Sequence, residues 1–169
     1  MPFLSVLDRR LLTLARTRCH GPQRERAVAA YSRHGEHAAC WLALGAVGAG
    51  VDADRRGRWL RGVAVVAGSY AANYAVKLAV RRRRPQLAGL PPLSPVVSTL
   101  SFPSAHATTS FAAARIYRGL APAPVLYAAA GAFALSRPYL GVHYPSDVLA
   151  GGLLGTVIAV AGGGPRRCR

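Results

Sequence analysis

Apolar residues along the chain fall into five long stretches, separated by short basic or proline-rich segments. The stretches cover about residues 36–52, 59–80, 104–115 or 118, 122–135 and 146–163. A helix needs about 20 mostly apolar residues to cross the hydrocarbon core of a bilayer. Many positions within the stretches are Ala or Gly, which lets membrane helices pack closely. The pattern predicts an all-α, integral-membrane bundle of about five transmembrane helices.

The first 18 residues follow a different pattern, with leucines recurring every three or four residues. Charged residues fall mostly on the other side of such a helix, at Asp8, Arg9, Arg16 and Arg18. The helix is too charged to span a bilayer, so we expect it to lie in the interface; packing on its own protein is the alternative. The predicted organisation is an N-terminal amphipathic segment (1–35), a transmembrane domain (36–165) and a basic C-terminal tail (166–169).

The composition combines a net charge of +16 with 51% hydrophobic residues. A basic nucleic-acid-binding domain could carry that charge, but here the charges lie between the apolar stretches and are nearly absent within them. We therefore expect a multi-pass protein of the cell membrane and no nucleic-acid partner. The cysteines show no paired spacing, which indicates neither a disulfide framework nor a zinc site. The sequence leaves the oligomeric state open.

The second apolar stretch ends in a run of cations, because residues 77–85 read KLAVRRRRP. Cations at the edge of a membrane span are costly and usually have a partner or a task. Lys77 and Arg84 are therefore candidate anion ligands. For Arg81, Arg82 and Arg83 two interpretations stay open: a basic cap that complements the helix dipole, or ligands for a second charged group on a substrate headgroup.

A second candidate segment, Ser101 to His106, leads into the third apolar stretch. A helix N-terminus presents unpaired N–H groups and the positive end of the helix dipole, which suits an anion. Ser104 could cap this helix and donate to a phosphate oxygen, and His106 can donate a proton near neutral pH. A lone histidine is more often structural, so a functional role for His106 depends on the other two candidate segments.

The third candidate segment runs from Ser136 to Asp147 and contains Arg137 and His143. A proline at position 145 fits the first turn of the fifth predicted helix, so His143 lies just before that helix and Asp147 within its first turn. A carboxylate there can accept the N–H of one imidazole nitrogen and leave the other free to attack. Capping of the helix N-terminus is the alternative role for Asp147.

Helix direction predicts that the three segments meet. If successive spans alternate in direction, the end of the second span shares a membrane face with the starts of the third and fifth. One site at the boundary of lipid and water would then face a membrane-lipid substrate whose phosphate lies at headgroup depth.

Together the segments resemble the signature of the type 2 phosphatidic acid phosphatase superfamily. That signature is Lys, six residues, Arg-Pro; then Pro-Ser-Gly-His; then Ser-Arg, five residues, His, three residues, Asp. Residues 77–85 and 136–147 match in full, and residues 103–106 match except that Ala105 stands where the family has glycine. If that turn needs a positive φ, alanine costs about 1 kcal/mol or more.

The resemblance implies a role for each matched residue. His143 would attack phosphorus and carry a phosphohistidine, Asp147 would orient it, and His106 would protonate the leaving oxygen and later help to activate water. The phosphate oxygens would be held by Lys77, Arg84, Ser104, Ala105 and Arg137. Such a site needs no metal or other cofactor, because fixed cations supply the charge stabilisation that phosphoryl transfer requires.

The implied activity is hydrolysis of a phosphate ester on a membrane lipid or polyprenyl-linked substrate. Candidate substrates are phosphatidic acid, phosphatidylglycerol phosphate, a polyprenyl diphosphate and decaprenylphosphoryl-phosphoribose 5-phosphate, since small Arg-rich actinobacterial phosphatases of the last are similar in character. The resemblance implies an external active site; the non-catalytic basic loops agree with this side, whereas the N-terminal arginines do not. Two alternatives stay open: a non-catalytic protein that binds anionic lipids, and a vanadium haloperoxidase-like enzyme.

Overall fold

The computed structural model describes residues 2–163, with side chains from residue 6 onward. Its helices are α1 (Pro2–Thr17), α2 (Pro22–Arg33), α3 (Ala39–Val51), α4 (Arg56–Val80), α5 (Ala105–Tyr117), α6 (Ala123–Tyr139) and α7 (Pro145–Gly162). Single 3-10 turns at Glu36–Ala38 and Ala53–Arg55 precede α3 and α4. The described part of the chain holds no strand, which confirms the all-α class. The predicted tail at 166–169 lies outside the described residues.

Each predicted apolar stretch coincides with one of the helices α3 to α7. By length and apolar composition, two described segments could cross a membrane: Ala53–Val80, which contains α4, and Pro145–Gly162, which is α7. Helices α3, α5 and α6 have 13, 13 and 17 residues, fewer than the roughly 20 of a full crossing. The number of five transmembrane helices therefore stays a prediction.

The bundle carries apolar side chains outside and small or polar side chains inside. Exposed apolar side chains follow the outer faces of the helices at Val47, Leu60, Leu78, Leu135, Leu149, Leu153, Val157 and Val160. The interior holds buried, hydrogen-bonded polar side chains at Ser69, Asn73, Thr108, Thr109 and Ser110. An apolar outer surface over satisfied interior polar groups suits a protein surrounded by lipid.

Helix α5 lies at the centre, in contact with α4, α6 and α7. Two glycines bring α7 against it. A Cβ on Gly155 would lie 2.0 Å from the carbonyl oxygen of Thr108, and one on Gly151 would lie 2.6 Å from that of Ser104. Only glycine permits this approach. The first turns of α5 and α7 are therefore held side by side at one end of the bundle.

The N-terminal region departs from the sequence prediction. Residues 22–33 form a second helix, α2, which the apolar pattern did not indicate. Helix α1 packs on α6 and α7 and buries one polar-containing face, formed by Asp8, Leu12 and Arg16. Three other leucines face outward, with Leu7, Leu11 and Leu14 exposed by 43%, 43% and 48%. Helix α1 therefore packs on the protein, which was the alternative to an interfacial helix, and its exposed leucines can still contact lipid.

One helix end was also predicted too early. The fourth apolar stretch was expected to end near residue 135, but α6 continues to Tyr139. Ser136 and Arg137 therefore belong to the last turn of a helix, where their side chains are buried. The apolar pattern missed this turn because the turn contains polar residues whose side chains face the interior of the protein.

Candidate active site

The three candidate segments meet at one end of the bundle. Lys77 Nζ donates to the carbonyl oxygen of Pro103 at 3.1 Å, and the N–H of Ser104 donates to the carbonyl oxygen of Asp147 at 2.9 Å. Arg84 Nη1 lies 3.0 Å from His143 Nε2. A single cavity there is lined by Lys77, Arg84, Ala105, His106, Arg137 and His143, together with residues of the 36–37, 70–74 and 95–98 segments.

His143 stands on the loop before α7 and is 2% exposed. The guanidinium of Arg84 donates toward its Nε2, which places the ring proton on Nδ1. Nδ1 lies 3.6 Å from Asp147 Oδ2, longer than a hydrogen bond, and it has no hydrogen-bond partner among the described residues. The predicted direct hydrogen bond from His143 to Asp147 is therefore not formed.

The environment of His143 keeps its ring neutral. Burial lowers the pKa of His143 well below its ordinary value, and the positive charges of Arg84, Arg137 and Lys77 lower that pKa further. A neutral imidazole with its proton on Nδ1 has a lone pair on Nε2. His143 is thus prepared to act as a nucleophile at neutral pH.

Asp147 has other partners, so the helix-capping alternative is realised as well. Its Oδ2 accepts the N–H of Tyr144 at 2.8 Å, which caps α7, and its Oδ1 accepts Arg82 Nη1 at 2.8 Å. Arg82 Nη2 also donates to Asp8 Oδ2 at 2.8 Å. Asp8 Oδ1 in turn accepts the N–H of Ser146 at 2.9 Å. Although burial alone would raise the pKa of Asp8, hydrogen bonds from Arg82 and Ser146 lower it, so the carboxylate stays ionised.

This network bears on the three extra arginines, for which a helix cap and a headgroup site are the two interpretations. None of Arg81, Arg82 and Arg83 lines the cavity. Arg82 turns away from it because the carboxylates of Asp8 and Asp147 attract its guanidinium behind His143. Arg81 is exposed and donates to the carbonyl oxygen of Leu78 in the last turn of α4, as a basic helix cap does. Arg83 is exposed. A role of these arginines at a substrate headgroup stays a prediction.

The cavity cations are held by uncharged oxygens. Lys77 donates to the carbonyl oxygens of Leu100 and Pro103. Arg84 donates to those of Ser98 and Val142 at 2.6 and 2.7 Å. The third cation, Arg137, donates to Ser32 Oγ at 2.5 Å. Among the described residues, none of the three cations has a carboxylate oxygen within 4.0 Å. Their charge is therefore oriented but not neutralised, which suits a bound anion.

Ser104 and Ala105 form the start of α5 beside the cavity. Ala105 has helical backbone angles, so the residue that replaces the family glycine carries no left-handed strain. Ser104 is fully buried, and its Oγ has no hydrogen-bond partner among the described residues. It does not line the cavity, whereas Ala105 does. Within residues 2–163, no three His, Cys, Asp or Glu side chains are grouped to hold a metal ion; independence of metal stays a prediction.

His106 is positioned by a residue that sequence reasoning missed. Its Nε2 lies 3.0 Å from the carbonyl oxygen of Ser32, at the end of α2, so Nε2 carries a proton and Nδ1 can exchange one. Ser32 Oγ also accepts from Ser136 and Arg137. No spacing in the sequence indicates this role, because a backbone carbonyl and a lone serine leave no motif.

Comparisons with known proteins show which proteins this chain is similar to. The family model of the PAP2 superfamily matches residues 58–162. A decaprenylphosphoryl-5-phosphoribose phosphatase of Mycobacterium tuberculosis is 39% identical over 142 residues, which cover 82% of this chain and 80% of the relative. The phosphatase of the same name from Mycolicibacterium smegmatis is 43% identical over 125 residues, which cover 72% and 68%.

Two solved structures have a similar fold. LpxE of Aquifex aeolicus superposes with a TM-score of 0.77 at 19% identity, covering 92% of this chain and 94% of its own. A transmembrane PAP2-type phosphatidylglycerolphosphate phosphatase of Bacillus subtilis superposes with a TM-score of 0.78 at 22% identity, covering 96% and 85%. At these identities the likeness concerns the fold.

The ion-pair network predicts different effects for two adjacent arginines. Arg82→Gln leaves Asp8 and Asp147 without their shared cation, so we expect the free energy of unfolding to fall by about 1–3 kcal/mol. Arg83→Gln removes the same charge from an exposed position and should change it by less than about 0.5 kcal/mol. Thermal unfolding in detergent measures both variants, and equal effects would contradict the network.

Ser32 gives a second prediction. Ser32→Ala removes the acceptor that orients Arg137, so the Kd for orthovanadate, a phosphate analogue, should rise roughly tenfold. Ser136→Ala is the matched control, because it removes a hydroxyl that contacts Ser32 but leaves the Arg137 hydrogen bond in place. Calorimetry on the two variants decides the point: an unchanged Kd for Ser32→Ala would show that Arg137 is oriented without it.

Proposed function

The chain belongs to the PAP2 superfamily and is a phosphatase of membrane lipids, and we propose that it acts through a phosphohistidine on His143. The observation that carries this proposal is the neutral, buried imidazole of His143, which shares one cavity with three cations that no described carboxylate neutralises. Electrostatic stabilisation and positioning are what phosphoryl transfer chiefly requires.

In the first step, the lone pair of His143 Nε2 forms a bond to phosphorus while the bond from phosphorus to the leaving oxygen breaks. His106 enters this step as the imidazolium, protonated on both Nε2 and Nδ1 while the phosphate dianion is bound. It gives its Nδ1 proton to that oxygen, which leaves as an alcohol, and the ring becomes neutral. Arg84, which donates to Nε2 in the free site, transfers its hydrogen bond to the phosphate. The imidazole becomes cationic and is balanced by Asp147; the 3.6 Å gap between them can close, because catalytic hydrogen bonds often tighten only in the complex.

In the second step, water attacks the phosphohistidine from the side that the alcohol has left. His106, now neutral at Nδ1, takes a proton from that water as the new oxygen–phosphorus bond forms. The nitrogen–phosphorus bond breaks, its electron pair returns to His143 Nε2, and inorganic phosphate is released. The hydrogen bond from His106 Nε2 to the Ser32 carbonyl holds the ring in one orientation through both proton transfers.

The phosphate oxygens are bound by Lys77, Arg84 and Arg137, with the backbone N–H of Ala105 at the start of α5. These cations hold their orientation before substrate arrives, since each is fixed by a carbonyl or hydroxyl oxygen. Ser104 can join them only if its buried hydroxyl turns toward the cavity. No step requires a metal ion.

We place the enzyme in the cell membrane as a multi-pass protein with its cavity outside. The basic start of α4 and the turn after α5 lie together at the end opposite the cavity, since Arg58 in the first turn of α4 approaches the position of Gly119. Positive loops of this kind favour the cytoplasmic side. The outward leucines of α1 support contact of that helix with the outer interface, which accommodates its arginines beside anionic lipid.

The relatives at about 40% identity support a lipid-linked pentose phosphate as substrate. The cavity has an apolar side, formed by Tyr74, Pro95, Val96 and Val97, and Val97 is 84% exposed. A polyprenyl tail can leave the cavity across this side toward lipid while the terminal phosphate reaches His143. We therefore propose decaprenylphosphoryl-5-phosphoribose, or a close analogue, as the substrate.

Replacement of the nucleophile tests the proposal. His143→Ala should lower phosphate release from every lipid substrate by about 10⁴-fold or more, as loss of an essential nucleophile does elsewhere. Phosphate release is measured on purified protein with chelator present. His34→Ala, which removes an exposed histidine at the end of α2, is the control and should stay active.

A second measurement tests the intermediate itself. Rapid acid-free quenching after mixing with a radiolabelled phosphate ester should reveal protein-bound label that is stable to alkali and labile to acid, and absent from His143→Ala. Undiminished turnover by His143→Ala would contradict the mechanism. It would leave a different nucleophile, or a non-catalytic lipid-binding role if the purified wild-type chain also releases no phosphate.

A further inference from the structure

The wall of the cavity next to His106 comes from a segment that lies outside the family match. That match begins at residue 58, whereas residues 32–37 comprise the end of α2 and the start of its connection to α3. The Ser32 carbonyl binds His106 Nε2, and a Cβ on Gly35 would lie 2.8 Å from the His106 ring. The backbone of this segment is therefore in contact with the proton donor. Glu36 follows immediately and lines the cavity together with His106 and Arg137.

The position of Glu36 relates to the leaving group, an argument that rests on the proposed function. In an in-line displacement the nucleophile and the leaving oxygen occupy opposite sides of phosphorus. His143 is on one side, so the leaving oxygen and the atoms attached to it lie on the side of His106. Glu36 belongs to the segment that holds the His106 ring, and it therefore faces the leaving group rather than the nucleophile.

We propose that Glu36 determines specificity by selecting a leaving group whose hydroxyl-bearing sugar is bonded directly to the scissile phosphate over a leaving group that is itself a phosphate. A carboxylate accepts hydrogen bonds from hydroxyl groups strongly and repels a neighbouring phosphate. Among the described residues that line the cavity, Glu36 is the one acidic side chain. It forms no side-chain hydrogen bond or ion pair within the described part of the chain, so its oxygens are free to accept from a ligand.

A polar pair beside Glu36 extends the same surface. His37 Nδ1 and the Tyr70 hydroxyl are 2.8 Å apart, their rings meet edge to face at 5.9 Å, and both residues line the cavity. The pair offers hydrogen-bonding groups and an aromatic face, which together suit a sugar ring. The pair lacks the fixed positive charge that would stabilise a second phosphate bonded directly to the scissile one.

The test compares two substrates with the same polyprenyl tail: a phosphoribose 5-phosphate, whose leaving group is a pentose, and a diphosphate, whose leaving group is a phosphate. Wild-type protein should have the higher kcat/KM for the sugar phosphate. Glu36→Gln removes the charge while keeping the shape, and it should shift the ratio of the two kcat/KM values roughly tenfold or more toward the diphosphate. Glu36→Asp should keep the wild-type preference.

Two further variants make the result interpretable. Asp54→Asn removes an exposed carboxylate between α3 and α4 and should leave the ratio unchanged. Tyr70→Phe removes one hydroxyl and should lower kcat/KM for the sugar phosphate alone, which tests the subsite even if Glu36→Gln folds poorly. The inference would be overturned if the ratio of the two kcat/KM values stayed constant in both Glu36→Gln and Tyr70→Phe. An equal loss of kcat/KM on both substrates is one such outcome, and it would make Glu36 only a counterion for Arg137.

Failure of the inference is distinguishable from failure of the proposed function. His143→Ala reports on the phosphohistidine mechanism for either substrate, whereas the ratio of the two kcat/KM values reports on the leaving-group side alone. An inactive His143→Ala combined with a constant ratio would keep the mechanism and reject the role of Glu36.

Discussion

The site depends on which oxygens bind its buried cations: the cations that line the cavity are bound by uncharged oxygens, and the nearby carboxylates are bound by a different cation. Lys77, Arg84 and Arg137 are held by carbonyl and hydroxyl oxygens, which fix their direction and leave their charge available. The neighbouring carboxylate, Asp147, is bound by Arg82, a cation that the cavity does not use. If Asp147 instead paired with a cavity cation, the positive field on the phosphate would be weakened where phosphoryl transfer needs it.

This arrangement explains why α1 belongs to the site although it reaches no substrate. Asp8 provides a second carboxylate for Arg82 and binds the backbone at the start of α7, two residues after Tyr144. Arg16 on the same helix donates to the carbonyl oxygen of Pro91 in the loop between α4 and α5. The helix thus ties that loop to the start of α7. Two charged residues of this helix, Asp8 and Arg16, are buried against the protein, whereas Leu7, Leu11 and Leu14 are exposed. A surface helix on a soluble domain buries its apolar residues instead.

Sequence reasoning located the parts of the site that follow from helix ends. The spacing from Lys77 to Arg84 and from Arg137 to His143 places each residue where a helix begins or stops, and alternating helix direction brings those ends together. It could not assign Arg82, because three adjacent arginines have the same local pattern and only tertiary contact with Asp8 separates them. It also missed the positions of Ser32 and Glu36, which arise from the fold of a chain segment over His106 rather than from any periodicity.

Hydropathy is likewise a limited guide to helices that lie inside a membrane bundle. Hydropathy identified the helices, but α5 is short, polar in places and almost wholly enclosed by α4, α6 and α7. Its threonines and serines are satisfied within the bundle, for example by the hydrogen bond from Asn73 to Thr108 at 2.9 Å. An enclosed helix need not be apolar along its whole length, since its neighbours rather than lipid surround it. In the proposed function, this short central helix brings the N–H groups of its first turn to the cavity, where longer outer helices and the loop after α4 can exclude water from the phosphate.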